Sequence, residues 1–311
     1  MNPAWSVIFF TTLAGAAQGL VVALAVPTLL GKPPGAAFTS LALLCALAML
    51  LVSLAASFLH LGHPERAWRA VLMWRTSWLS REVIVLPAFI GVVALWWLAL
   101  QLGGPASRPA LAAAALALLL ALLLWLCTAM IYACLRFIAE WAHRLTLINY
   151  TLIGLASGVL LAGALAVLAG EAAFARELAP RALAATLAAW LTRWFSLRRN
   201  ASLKPKSTLQ SATGIAASRL RQVSMGMSAG AFNTREFFHG ASQGVMANIK
   251  LATHLLCFAL PALLVALALV LKQPALLVPA FAVQALGLLA ERWLFFAQAR
   301  HPQNLYYQVV S

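Results

Sequence analysis

Long apolar stretches separated by short polar connections dominate the pattern along the chain. A helix needs roughly 20 apolar residues to cross a bilayer core of about 30 Å, and stretches of that length recur throughout the sequence. Glycine or proline marks three of the turns between them, at 31–35, 103–105 and 273–274. The pattern predicts an all-α polytopic membrane protein, a bundle of eight transmembrane helices. The predicted spans are 5–30, 38–61, 82–102, 109–135, 146–170, 179–195, 249–271 and 274–298.

One connection is far longer than the others. We interpret residues 1–311 as a single integral membrane domain with an extramembrane loop at about 196–248. Loops of this length are usually functional or disordered. Phenylalanines and mixed turn residues favour an ordered docking surface for a partner, with Arg235, Phe237, Phe238 and His239 as its candidate contacts.

The composition agrees with a membrane protein and excludes a water-soluble domain. Hydrophobic residues make up 63% of the chain and charged residues 9%, and the mean hydropathy is +0.90. The net charge of +15 comes from 22 Lys and Arg against 7 carboxylates, all of them Glu. Because the basic residues lie mainly between spans, the positive-inside rule explains them better than nucleic-acid binding, and no nucleic-acid partner is expected.

The distribution of the basic residues predicts the orientation. With eight spans, 17 of the 22 Lys and Arg fall on the side that holds both termini. The remaining 5 are Lys32, Arg108, Arg176, Arg181 and Lys272. The bias predicts a multi-pass protein with both termini in the cytoplasm.

The cysteines give no sign of a metal or disulfide site. Cys45, Cys127, Cys134 and Cys257 all fall in apolar stretches, and none forms a C-x-x-C pair. We expect no zinc site and no iron–sulfur cluster in this chain.

Two titratable residues lie at one predicted membrane face. His60 closes the second apolar stretch and Glu82 opens the third, with Arg66 and Arg69 between them. An imidazole and a carboxyl group at one hydrophobic boundary indicate a proton-coupled site. The alternatives are a histidine satisfied by interfacial water, a first-turn carboxylate favoured by the helix dipole, and arginines that serve only as positive-inside anchors.

A second charged pair lies within the last predicted span. Glu291 and Arg292 need partners across helices, because burying an unpaired charge costs several kcal/mol. A structural tie between helices and a wall of a binding pocket explain them equally well.

Several motifs together resemble a known family. They are His60-Leu61-Gly62-x-Pro64-x-Arg66-Ala67, Ser77-x-Leu79-Ser80-x-Glu82, and Glu291-Arg292 with Phe295-Phe296. The chain is similar in these motifs, and in the number and order of its spans, to the membrane anchor subunit of dimethyl sulfoxide reductase-type molybdoenzymes.

The resemblance implies a function for the complex rather than for the chain alone. It implies an eight-helix anchor in a bacterial inner (cytoplasmic) membrane that binds exchangeable menaquinone or ubiquinone in anaerobic respiration. The partners it implies are a four-cluster iron–sulfur subunit and a molybdopterin catalytic subunit, with no haem in the anchor and no catalysis by the anchor alone. His60 and Glu82 then match the family's quinone-binding and proton-transfer positions. Arg66, Arg69, Glu291 and Arg292 are further candidates for the same site.

The long loop and the charge bias depart from the better-known branch of that family. A cytoplasm-facing complex looks more like the sulfite-oxidising branch, so S-oxide reduction and sulfite oxidation both stay open, as does the direction of electron flow.

Two other function classes compete with this interpretation. A proton-coupled transporter would use His60 and Glu82, but it predicts broken helices and repeat symmetry, which the sequence does not show. A b-type cytochrome would need haem ligands such as His60 and His254, whose predicted depths do not match.

Overall fold

Long helices that alternate in direction build the protein. The computed structural model describes residues 1–59, 61–205, 207–224, 234 and 236–306, so His60 and Arg235 lie outside the described residues. The helices are α1 (Trp5–Leu29), α2 (Ala36–Phe58), α3 (Trp78–Gly103), α4 (Arg108–Ala133), α5 (Arg144–Leu168), α6 (Ala172–Ala201), the short α7 (Leu209–Thr213), α8 (Gln243–Val270) and α9 (Leu277–Ala297). The all-α prediction is confirmed.

The alternation gives the bundle two unlike ends. We call one of them the terminal end: there α1 begins, α9 ends, and the connections 59–77, 134–143 and 202–242 lie. Short turns occupy the opposite end.

The prediction of eight transmembrane helices is corrected to seven. Within the described residues, seven helices are long and apolar enough to cross a membrane, and α6 is the long helix that fails. Its 30 residues carry Arg176, Glu177, Arg181 and Arg193, and Arg181 Nη2 pairs with Glu177 Oε1 at 2.9 Å on the exposed surface. In the sequence, charged residues limit the apolar stretch to 179–195. The helix continues beyond that stretch in both directions, and over its full length it is too charged to count as a span.

Glycines bring α1 and α5 into backbone contact. A Cβ atom added at Gly19 would overlap the carbonyl of Gly154, and one added at Gly158 would overlap the backbone of Gly19. Small residues permit this close approach, which supplies helix association where lipid offers no hydrophobic driving force.

A widened turn in α8 has a cause in the sequence. Residues Thr253–Ala259 are π-helical, and Pro261 has no N–H to donate to the carbonyl of Cys257 four residues earlier. Gln284 Nε2 of α9 donates to that carbonyl at 3.2 Å instead. Gly287 lies against the Cys257 backbone so closely that a Cβ atom would overlap it. The proline and the glycine thus join α8 to α9.

The long connection returns to the ends of the chain. Phe237 stacks on His301 with ring centroids 3.8 Å apart, and Asn304 Nδ2 donates to the Phe237 carbonyl at 3.0 Å. The Asn2 amide donates to the Glu236 carbonyl at 2.8 Å. We call residues 236–241 and 301–304 the terminal patch. The connection itself is shorter than the predicted 196–248, because α6 continues to Ala201 and α8 begins at Gln243.

We expect Gly158→Ala to destabilise the protein by about 1–3 kcal/mol, because the new methyl group forces α1 and α5 apart. The matched control is Gly91→Ala, at an exposed position on α3 where a Cβ atom meets nothing within 4 Å. Thermal unfolding in detergent measures both variants. Equal melting temperatures for the two would contradict a tight glycine contact.

We expect acidification to loosen the terminal patch. Burial, and secondarily the positive amino group of Met1, lowers the pKa of both His239 and His301 below the ordinary 6.5. Each Nδ1 accepts a backbone N–H, from Ala241 at 3.0 Å and from Gln303 at 3.2 Å, and protonation removes both acceptors. The folded state favours the neutral imidazole rings. The stability that they contribute to the fold is therefore complete above the histidine pKa of the unfolded chain, and it is lost as the pH falls from there through the lower pKa of the folded state.

Amide hydrogen exchange between pH 7.5 and 5, corrected for the intrinsic rate, measures this loss. The amides of Ala241 and Gln303 should lose protection at the acid end. The Ala110 amide, which the Ser107 hydroxyl caps at the opposite end of the bundle, serves as the control. Unchanged protection at Ala241 and Gln303 would rule the effect out.

Candidate functional site

Glu82 lies inside the bundle near its terminal end. The Ser77 hydroxyl caps α3 by accepting the Ser80 amide at 3.3 Å, so the helix begins four residues earlier than the sequence predicted. At 1.5 Å per residue, Glu82 then lies about 6 Å inside the start of α3. It is 5% exposed, and the Thr128 hydroxyl of α4 donates to its Oε1. The carboxyl group is thus buried one turn in, rather than placed at the water boundary.

The predicted arginines lie away from this carboxyl group. They belong to a 3-10 segment, Pro64–Met73, none of whose residues is buried. Arg66 Nε lies 3.7 Å from Glu65 Oε1, and the Arg69 guanidinium lies over the ring of Trp68 at 5.6 Å. The structure therefore does not bring Arg66 and Arg69 to Glu82.

Arg81, next to Glu82 in sequence, is also directed elsewhere. Its guanidinium donates to the carbonyls of Trp74 and Arg75 at 2.9 and 2.8 Å and covers the ring of Trp78 at 4.1 Å. It holds the connection before α3 in place and makes no ion pair with Glu82.

A buried aromatic cluster fills the space beside this site. Trp141 Nε1 donates to the Phe295 carbonyl at 3.0 Å and stacks on the Phe295 ring at 5.5 Å. Tyr132 stacks on Tyr150 at 5.8 Å and meets Phe296 edge-on at 5.5 Å. These contacts fix the ends of α4, α5 and α9 against one another.

Glu291 and Arg292 are buried together with a third charged residue. Arg292 Nε donates to Glu291 Oε2 at 2.6 Å, and Arg193 Nε of α6 lies 2.8 Å from Glu291 Oε1 as an ion pair without hydrogen-bond alignment. Arg193 is 1% exposed, Glu291 0% and Arg292 4%. The Arg292 guanidinium also lies over the Tyr150 ring, 4.2 Å from its centroid. The expected partner across helices is Arg193.

A small cavity connects the two groups of polar residues. Its volume is about 20 Å³, which holds roughly one water molecule. Thr128, which bonds Glu82, and Arg292, which bonds Glu291, both line it, together with Tyr150 and Trp125. Polar side chains of α4, α5 and α9 therefore meet in the wall of one cavity.

Sequence reasoning missed three members of this site. Thr128 and Tyr150 are ordinary residues of apolar spans, and only the packing of α3, α4 and α5 reveals them. Arg193 carried a signal, because an arginine within a predicted span needs a buried partner.

The other predicted residues have separate places. Phe237, Phe238 and His239 are half-buried in the terminal patch, and Arg235 lies outside the described residues. His254 Nδ1 accepts a hydrogen bond from Trp190 Nε1 at 3.0 Å. Among the described residues, no group of three or more His, Cys or Glu side chains has the arrangement of a metal site.

Comparisons with known proteins agree with the motifs at both ends of the chain. The sequence matches the family described as DMSO reductase anchor subunit (DmsC) over residues 1–297. It is 44% identical over 326 aligned positions to a sulfite dehydrogenase subunit of Allochromatium vinosum, with 100% of both chains covered. Both matches span nearly the whole length, so the chain belongs to the family of DMSO reductase membrane anchor subunits.

Proposed function

We propose that the chain is the quinone-reactive anchor of a sulfite-oxidising molybdenum complex. In this role it passes electrons from an iron–sulfur subunit to the quinone pool of the membrane. The observation that carries the proposal is the buried Glu82 carboxyl group, held by Thr128 at the same end of the bundle as the terminal patch. That end is also where most basic residues lie.

The chemistry of these side chains suits a quinone headgroup. Quinone reduction takes up two electrons and two protons, and the anchor must supply the protons while the partner supplies the electrons. Glu82 can hold a proton inside an apolar bundle and exchange it with a quinone oxygen, and the Thr128 hydroxyl keeps the carboxyl group oriented. The bound species would be menaquinone or ubiquinone.

His60 is the second proposed member of the site. In sequence it follows the end of α2 by two residues. An imidazole there accepts or donates a proton near neutral pH, so it can connect Glu82 with water.

The exposed arginines fit the partner better than the quinone. Arg69 lies over Trp68 at 5.6 Å on the 3-10 segment, and Arg75 lies over Trp74 at 5.5 Å just after it. Both tryptophans are more than half exposed. We therefore assign this segment, together with the terminal patch, to the face that receives the four-cluster iron–sulfur subunit and, behind it, the molybdopterin subunit. The Met1 amino group donates to the Ala299 carbonyl at 2.8 Å, so the beginning of the chain and the end of α9 share this face although α6 is not apolar enough to count as a span. The basic bias of the face supports a cytoplasmic location for it and for both termini.

Sulfite oxidation is favoured over S-oxide reduction by the 44% identity to a protein named as part of a sulfite dehydrogenase. Gentle detergent purification of the tagged chain from its native membrane tests the proposal. Molybdenum and iron–sulfur subunits should accompany the chain, with sulfite oxidation in the assay. If the complex reduces S-oxides and does not oxidise sulfite, electrons flow in the opposite direction to the one proposed. If the chain is recovered without partner subunits, the proposal is wrong.

We expect Glu82→Gln to slow quinone-linked sulfite oxidation by about 10²-fold, because the amide cannot carry the proton. Dye-linked activity of the catalytic subunit should persist. Glu177→Gln is the matched control, since Glu177 is 47% exposed on α6 and belongs neither to the Glu82 site nor to the proposed docking face. If quinone-linked turnover in Glu82→Gln equals that in the control, Glu82 has no proton role.

We expect Phe238→Glu to release the partner subunits from the membrane, because it places a charge in the half-buried terminal patch. Val223→Glu is the control, a change of the same kind at a residue 95% exposed on the same connection. The molybdenum retained in washed membranes measures docking. Equal retention in both variants would move the docking surface away from the terminal patch.

A further inference from the structure

Three buried charged side chains near the end of α9 do not cancel one another. Two guanidinium groups, of Arg193 and Arg292, share the single carboxylate of Glu291, at 2.8 and 2.6 Å. All three side chains are at most 5% exposed. This cluster, which we call the arginine–glutamate cluster, thus holds one positive charge in excess inside an apolar bundle.

One other buried carboxyl group is available to balance that charge. Within the described part of the chain, Glu82 and Glu291 are the two buried glutamates. The Arg292 guanidinium lies over the Tyr150 ring at 4.2 Å, and Tyr150 stacks on Tyr132 at 5.8 Å. Tyr132 follows Thr128, which bonds Glu82, by one turn of α4. The two tyrosines and Thr128 therefore form a chain of contacts from the excess charge to Glu82.

A cavity with several polar groups in a largely apolar lining lies between them. Thr128, which donates to Glu82, and Arg292 both line it. Thr12 Oγ1 and Trp125 Nε1 belong to residues of the same lining, and within the described residues neither buried atom has a hydrogen-bond partner. With these polar groups in its wall, a cavity of about 20 Å³ suits one bridging water.

We propose that the arginine–glutamate cluster compensates the negative charge that Glu82 carries whenever its proton has left. Arg193, Glu291 and Arg292 then act through Glu82 as positioning residues and do not touch the quinone. When Glu82 is protonated the buried groups carry one net positive charge, and when it is ionised they are neutral. The inference rests on the proposed proton role of Glu82 and supplies its electrostatic basis.

In the described residues, Arg81 is the other cation close to Glu82, one position earlier on α3. Its guanidinium is held by two backbone carbonyls at the exposed surface, where water screens its charge. Near Thr128 on α4, Cys127 and Tyr132 are not cations, and neither is Tyr150 of α5 in the cavity lining. The 3-10 segment that packs on α3 carries Glu65, Arg66 and Arg69, all of them exposed.

Two multiple variants separate the excess charge from the rest of the cluster. Arg193→Met with Glu291→Met removes one charge of each sign, so the excess positive charge stays on Arg292, whose guanidinium lies over the Tyr150 ring. Adding Arg292→Met removes the excess as well. Replacing a whole buried ion cluster by apolar side chains of similar size is often tolerated, which keeps the triple variant within reach of a folded complex.

The measurement is the infrared carboxyl band of Glu82 in the purified complex, assigned by its loss in Glu82→Gln and followed as the pH is changed. The double variant should titrate like the parent complex. The triple variant should keep Glu82 protonated to a pH higher by about one unit, as expected for losing one charge across a partly polar gap. Arg193→Lys, which retains the charge, should also titrate like the parent.

Equal titration in the double and triple variants overturns the inference. A shift of the triple variant to lower pH does so as well. The infrared titration needs no turnover, so it separates this proposal from the quinone function. Unimpaired quinone-linked activity in Glu82→Gln would reject the quinone role, while the titration would still decide whether the cluster compensates Glu82.

Discussion

The carboxylate of Glu291, shared between two arginines, is the contact on which the terminal end of the bundle depends. Lipid offers a buried charge no partner, so an unpaired Arg193 or Glu291 would cost several kcal/mol. The ion pair at 2.8 Å therefore fixes α6, the least apolar of the long helices, against α9. With α9 in place, the Phe295 carbonyl meets the indole of Trp141, and the aromatic cluster beside Glu82 closes. Toward the opposite end, α3 and α4 pack through fully buried alanines of α4, contacts that need only shape.

Much of the fold follows from hydropathy alone. The predicted boundaries of the first five spans lie within about four residues of the observed helices, because lipid thickness sets their length. The sixth span was predicted wrongly because the 17 residues 179–195 are mostly apolar when taken alone. In the structure they belong to a longer helix that also contains the charged residues on either side. Ser77 is a typical N-cap residue and so indicates a helix that begins at Trp78. The predicted span began later, at 82, because it was placed by hydropathy alone.

The site was harder to predict, since its members come from different helices. The motif around Glu82 indicates a titratable group, but the sequence does not show that Thr128 of α4 faces it or that Arg193 of α6 pairs with Glu291. These contacts depend on the rotation of each helix about its axis. That rotation is set by close approaches between helix backbones, such as those of α1 and α5, and by Gln284 completing the hydrogen bond that Pro261 leaves open.

The proposed quinone function constrains where a proton site can lie. In that function electrons would tunnel from a cluster of the partner subunit outside the membrane, so the group that handles protons would have to lie close to the end that receives the partner. Glu82, about 6 Å inside the start of α3, satisfies this constraint and is still shielded from water by the bundle. A carboxyl group at that depth is costly to ionise unless fixed charge lies nearby. The arginine–glutamate cluster would then have two roles. It holds α6 against α9, and its excess positive charge would lower the cost of ionising Glu82.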